Sequence, residues 1–305
     1  MNNCNLKNSR KALFGGLPVA LLLVTACIFC SLKLAYSGTA TQVEKQAEPV
    51  DSVLLQTFLD AEKAIIQKRT ESASTLRQSW GSSPTPEQEK TLSELNTKYN
   101  NELRVLYTEF IKNNINNPTG WSQLRKVYSL SLEQMKEAIS NVSEESLKNP
   151  DVATVVARVQ ALENTAVGKP FIDIRMSDAN GNDIALSDFV GKGKYVMIDF
   201  TATWCGPCRV GKPAMIATYN RFKDKGFEIV GVWLDTSHEA WVNGMKALNL
   251  PDWPQMSDLK RESEGSKLYG ISGIPHSVLI DPNGIIIVRG LSGRELDAKL
   301  TELLK

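Results

Sequence analysis

The sequence predicts an α/β sandwich with a mixed sheet in its C-terminal half, preceded by an all-helical segment. Three observations carry the prediction. From Val167 onward, short apolar runs and helical stripes follow one another as strand, helix, strand, helix, hairpin and helix. Between Val53 and Glu163 the apolar residues recur at spacings of three and four instead. Finally, Trp204-Cys205-Gly206-Pro207-Cys208 lies where a buried strand hands over to a helix.

The chain has 305 residues, enough for two domains and a leader. Charged residues make up 23 % and the formal net charge is +1, so no basic excess points to nucleic acid. Residues 1–37 read as a signal peptide or membrane anchor: Lys7, Arg10 and Lys11 precede an uncharged run from Ala12 to Leu32. Three endings compete. Val24-Thr25-Ala26-Cys27 resembles the lipobox of bacterial lipoproteins, with Cys27 as the lipidated residue. Ala35-Tyr36-Ser37 offers a cleavage site before Gly38, and the run is also long enough to stay in a bilayer. Each ending exports the rest of the chain to the periplasmic side of a bacterial envelope, with membrane tethering through the anchor or lipid in two of the three. Of five cysteines, Cys4, Cys27 and Cys30 lie in this leader, leaving Cys205 and Cys208 in the folded body. An exported body with one close pair favours chemistry over stapling.

Residues 50–165 read as a helical accessory domain. Val53, Leu54, Phe58, Leu59, Ala61, Ile65 and Ile66 form a first stripe. Gly81-Ser82-Ser83-Pro84 breaks it, and Thr85-Pro86-Glu87-Gln88 reads as a fresh helix start, Thr85 capping and Pro86 in the first turn. The stripe resumes through Phe110. An antiparallel hairpin follows from the break, with shorter helices near 121–130, 132–139 and 151–163. Trp80, Trp121, Tyr99, Tyr107 and Tyr128 read as core in preference to a binding groove. Nothing in this segment suggests a second active site. Dimerisation and docking of a partner both fit it.

Residues 166–305 form the second domain. Asp178 to Asp183 reads as a turn between two short strands, 194–200 as a buried strand, Arg209 to Lys225 as a helix and Phe227 to Leu234 as another buried strand. Glu239 to Leu250 is helical, Ser277 to Ile280 and Ile285 to Arg289 pair across Asp281-Pro282-Asn283-Gly284, and Glu295 to Leu304 closes the chain as an amphipathic helix. Cys205 therefore stands just outside a helix and Cys208 in its first turn. The unpaired N–H groups and positive dipole of a helix start stabilise a thiolate at Cys205. Two intervening residues let the sulfurs form one disulfide and release it again. Half a zinc site is the competing reading, but four ligands are needed and the only histidines are His238 and His276. A purely structural disulfide gains little from so short a loop.

These residues resemble the thioredoxin superfamily, and within it the membrane-tethered or exported TlpA/ResA-like thiol–disulfide oxidoreductases. The resemblance covers about Val167 to Lys305. It rests on Gly-Lys-Pro-Phe leading to Leu-Ser-Asp-Phe-x-Gly-Lys, on Asp-Phe-x-Ala-x-Trp-Cys-Gly-Pro-Cys, on Pro213, and on Gly-Ile-Pro before Leu-Ile-Asp-Pro-x-Gly. It implies a thioredoxin-like fold, a central mixed sheet flanked by helices with an N-terminal strand extension. It also implies a protein-disulfide reductase that needs no cofactor and binds no metal. Cys205 is then the exposed attacking thiolate, Cys208 the buried resolving thiol with which it forms the disulfide, and Asp199 the buried acid that takes up the Cys208 proton. Ile274 and Pro275, the latter in a cis peptide bond, meet substrate, and Trp204 shields the disulfide. Partners are exported proteins with disulfides or dithiols and an upstream membrane electron donor; homodimerisation through the helical segment is a further expectation.

Two departures stand out. Gly231 occupies the place where thioredoxins put a lysine near the buried acid, so Asp199 is expected to lack a cationic neighbour. Gly-Pro stands between the cysteines, where many ResA-like chains carry an acid, which favours a reductant. Oxidase or isomerase activity remains open in the same fold. A peroxiredoxin-like peroxidase would need Thr-x-x-Cys, and here Ala202 stands three residues before Cys205. A non-catalytic binding module with a redox-sensitive clasp is the third reading.

Overall fold

Helix α1 (Ser52–Gln78) starts where the Asp51 carboxylate accepts the Val53 and Leu54 N–H groups at 3.1 and 2.9 Å. Helix α2 (Pro86–Asn114) starts with the expected Thr85 cap, which forms a reciprocal capping box with Gln88. Phe58 stacks on Phe110 at 4.0 Å, Arg69 bonds Asn100 and Ser72 bonds Tyr99. Partners fall along one helix as they rise along the other, so the two run antiparallel. The computed structural model describes residues 49–80 and 83–305. The leader, with its signal, anchor and Cys27 readings, lies outside them. Among the described residues no helix is long and apolar enough to cross a membrane.

The helical half continues with α3 (Pro118–Trp121), a 3₁₀ turn (Leu124–Ser129), α4 (Leu132–Ala138) and α5 (Pro150–Asn164). Its core gathers Phe58, Phe110, Ile111, Val127, Ala138 and Val152. Glu62 is buried there and held by Tyr107 and Lys126, which supply the donors a buried carboxylate needs. Tyr99 and Tyr107 are core, as the sequence predicts. Tyr128 is not: it is 42 % exposed.

The sheet half carries β1 (Arg175–Ser177), β2 (Asp183–Ala185), β3 (Tyr195–Thr201), α6 (Gly206–Phe222), β4 (Phe227–Trp233), α7 (His238–Ala247), β5 (Gln255–Ser257), α8 (Glu264–Leu268), β6 (His276–Ile280), β7 (Ile286–Arg289) and α9 (Gly293–Leu303). The described strands make one seven-stranded mixed sheet, ordered β2-β1-β5-β4-β3-β6-β7. β3, β4 and β5 are parallel neighbours, and the remaining pairs are antiparallel. β3 and β4 are buried almost throughout, which is why both read as continuous apolar runs. This is a thioredoxin-like fold with a strand extension, preceded by helices.

Helix α5 sits directly on the loop before β6. At Gly270, whose φ is +63°, a side chain would run into Leu162 at 2.8 Å and the Arg158 carbonyl at 3.2 Å. Arg158 donates to Ser272 Oγ at 3.0 Å, and Arg289 donates to the Thr165 carbonyl and hydroxyl at 2.8 and 2.7 Å.

Candidate active site

Cys205 is the N-cap of α6 and its backbone is extended, as expected for the residue just outside a helix. Its Sγ accepts the Cys208 N–H at 3.1 Å and is bonded to Cys208 Sγ. Pro207 falls in the first turn, where a missing N–H costs nothing. Pro213 lies inside the same helix. The turn that feeds it is fixed by a residue sequence reasoning missed. Asp235, 2 % exposed just beyond β4, accepts the Thr203 N–H at 3.0 Å and is also bonded by its hydroxyl. A carboxylate closing the apolar run Val230 to Leu234 was the available signal.

Exposure departs from expectation. In the disulfide form Cys205 is 5 % exposed and Cys208 4 %, so Cys205 is not the open member of the pair. Both cysteines belong to the apolar core cluster that includes Phe200 and Ala202 and against which Ile274 packs. The asymmetry that remains is positional: Cys205 caps the helix and receives an N–H, whereas Cys208 sits one step inside it.

The expectation for the surroundings of Asp199 is overturned. Asp199 is buried in β3 as the sequence indicates, but it has a cationic partner, the Lys212 ammonium. Both side chains are 3 % exposed. Lys212 follows Cys208 by four residues, about one helical turn, so both occupy the buried face of α6. The Lys212 ammonium also lies 5.7 Å from the centre of the Trp233 ring. Gly231 does pair with Asp199 across the strands, yet its missing side chain makes room for Gln255 instead. Gln255 Oε1 accepts the Trp233 indole N–H at 2.6 Å. Sequence reasoning looked for the cation on β4 and did not consider a lysine on a helix interior.

The peptide bond between Ile274 and Pro275 is cis. Trp204 is 52 % exposed, with the Arg261 guanidinium over its ring at 5.0 Å, so it is not a core residue. Trp204 and Ile274 line one groove, together with Tyr128 of the helical half. His276, next after Pro275, has a buried Nε2 with no partner. Burial, then the positive charges of Arg289 and Arg158, push its imidazole down to about 4. Burial likewise holds the Arg158 and Arg289 guanidinium groups below their ordinary range. Neither forms an ion pair among the described residues.

A buried disulfide at a helix start, with a buried ammonium one helical turn further along and that ammonium's carboxylate partner on β3, is equipped for thiol–disulfide exchange. Comparison with known proteins gives the following matches. The model of the AhpC/TSA family matches residues 167–289. The chain is 35 % identical over 143 residues to the thiol-disulfide oxidoreductase ResA of Bacillus thuringiensis, which covers 47 % of this chain and 79 % of the relative. ResA of Bacillus subtilis is 35 % identical over 125 residues, covering 41 % and 67 % respectively. The thioredoxin domain of a thiol-disulfide oxidoreductase from Bacteroides vulgatus matches at 36 % identity with a TM-score of 0.42, over 46 % of this chain and 99 % of that one.

Proposed function

Since the chain belongs, through its C-terminal half, to the ResA-like thiol–disulfide oxidoreductases, we propose that it works as a reductant of disulfides in other exported proteins. The observation that carries this is the Cys205–Cys208 disulfide at the start of α6, with Lys212 buried one helical turn further in and paired with the buried Asp199 of β3. In the reduced protein the helix start favours the Cys205 thiolate. The thiolate attacks one sulfur of a substrate disulfide. That bond breaks, its electron pair leaves on the second sulfur, and a mixed disulfide forms. Cys208 then loses its proton toward Asp199 and attacks Cys205 Sγ. The second substrate thiol departs and the Cys205–Cys208 disulfide is restored. Two electrons have passed from the dithiol to the substrate, and a dithiol donor must return them. The Gly-Pro dipeptide favours this direction, and the reading of residues 1–37 as a signal peptide or anchor supports a site of action beyond the inner membrane.

The test is reduction of insulin disulfides by the full chain with dithiothreitol as donor. Turnover that Cys205→Ser abolishes supports the reading. Absence of turnover, with instead net oxidation of reduced substrates, would reverse the proposed direction. Identifying the proteins that stay disulfide-linked to Cys205 in a Cys208→Ala chain names the substrates.

A further inference from the structure

Nothing in the exchange chemistry calls for the helical half, yet that half reaches the site. A groove of about 780 Å³ runs beside the redox centre, with Trp204, Ile274 and Arg261 on the sheet side and Tyr128, Thr154 and Arg158 on the helical side. We propose that the helical half is one wall of the substrate groove, and that the groove selects extended polypeptide segments carrying a carboxylate close to the cysteine to be reduced. This rests on the oxidoreductase reading and names the substrate class of the same site.

The wall is built in. Gly270 permits α5 to touch the loop that carries Pro275, and any side chain there would collide with Leu162. Arg158 is tied to Ser272 of that loop, and Arg289 of β7 to Thr165 at the end of α5. The helical wall and the Ile274-Pro275 segment are therefore held in one arrangement.

Charge complementarity identifies the occupant. The groove contains the cations Arg158, Arg261 and Lys267 and one acid, Glu262, which lies 3.8 Å from Lys267. That leaves two guanidinium groups without a carboxylate. Arg261 rests on the exposed Trp204 ring, and Arg158 lies over Tyr128 at 5.0 Å. Arg158 bonds only Ser272 Oγ and Met135 Sδ among the described residues, and its Nε is buried without a partner. An unpaired, half-buried guanidinium keeps its capacity for a charge-assisted bond to an incoming carboxylate. The exposed faces of Trp204 and Tyr128, with Ile274, suit the apolar flanks of an extended chain. A basic segment would instead bring like charges onto both arginines.

The experiment uses the full chain and two disulfide-linked peptides, identical except for Asp or Lys two residues from the cysteine. Bis(2-hydroxyethyl) disulfide, uncharged and too small to span the groove, serves as the probe of exchange itself. The Asp peptide is expected to be reduced about tenfold faster than the Lys peptide in kcat/KM at low salt, the effect of two partly exposed charge pairs. The ratio should shrink at about 0.5 M salt. Arg261→Glu, a surface change, should bring the ratio to about one or below, and Arg158→Gln should lower it as well. A native ratio near one, or a ratio that survives Arg261→Glu, overturns the groove proposal while leaving exchange intact. Failure of the native chain to reduce bis(2-hydroxyethyl) disulfide overturns the oxidoreductase reading, and this proposal with it.

Discussion

Asp199 and Lys212 offer a quantitative test of what sits under the redox pair. Their side chains are 3 % exposed and each is the other's ion-pair partner. Taken alone, Asp199→Asn would stabilise the protein, since it removes a desolvated ionisable group. Lys212 reverses that sign. The asparagine leaves a buried ammonium without its counter-charge, at a cost of about 3–5 kcal/mol. Lys212→Met leaves a buried carboxylate in the same position and should cost a similar amount. The double substitution removes both charges in residues of similar size. It should recover to within about 1–2 kcal/mol of the native protein, because the desolvation of both ions disappears with their attraction. Denaturant melts of the four oxidised proteins give the cycle, with oxidation holding the Cys205–Cys208 link constant. A coupling energy below about 0.5 kcal/mol would mean that the two groups do not depend on each other, and the reasoning would fail. The same proteins separate structure from chemistry. Asp199→Asn and the double variant both lack the carboxylate proposed to take the Cys208 proton. Both should resolve a mixed disulfide more slowly, about 10²-fold at the lower end of general-base help, although only the first is destabilised. Stopped-flow resolution at the native rate in the double variant would show that Asp199 does not accept that proton.

Other consequences are checked more briefly. Cys205→Ser should abolish all exchange, whereas Cys208→Ser should still accumulate mixed disulfides on non-reducing gels; faster alkylation of Cys208 than of Cys205 in the reduced protein would invert the roles. His276 titrates at about 4 when folded against 6.5 unfolded, so between those values the unfolded chain takes up a proton that the folded chain refuses. Stability should therefore fall as pH drops from about 6.5 to 4, by about 2–3 kcal/mol, and His276→Gln should flatten that part of the melt-versus-pH curve. Gly231→Ala should push Gln255 Oε1 off the Trp233 indole and cost about 1–3 kcal/mol in denaturant melts, because a buried N–H is left unpaired. An unchanged midpoint would mean that Gln255 has another way to reach Trp233.

The long elements were legible because they are periodic or continuously apolar. α1 and α2 show their stripes, α2 also its Thr85 cap, and β3 and β4 are buried runs of seven residues each. β5 and α8 were missed for the opposite reason. β5 is three residues long and follows Pro254, and α8 is five residues, too short for either period to register. β5 nevertheless joins the β1–β2 hairpin to β4, so a tripeptide determines how the sheet continues. At the site, Cys205, Cys208 and Asp199 stood out by motif and by a charge inside an apolar strand. Lys212 did not, because a lysine in a helix is ordinarily solvated and nothing local marks this one as buried. Arg158 and Tyr128 were beyond reach of the sequence, since their proximity to Trp204 arises from packing α5 against a loop more than a hundred residues later.

Gly231 and Lys212 look like two separate departures in the sequence, and the structure joins them. A side chain at Gly231 would enter the space that Gln255 takes to hold the Trp233 indole. With the indole fixed there, its ring lies 5.7 Å from the Lys212 ammonium on one side of the charge, and the Asp199 carboxylate bonds that ammonium directly. A lysine on β4 would displace Gln255 and place a second buried cation beside one acid, which desolvation penalises. The space left by Gly231 and the cation on the helix are thus linked through Gln255 and Trp233. The arrangement also puts the cation on the element that carries Cys208. Any shift of α6 when the disulfide opens moves the Cys208 sulfur and the ammonium together, while the acid stays on β3. The carboxylate's charge partner is in this way tied to the redox pair by one turn of helix.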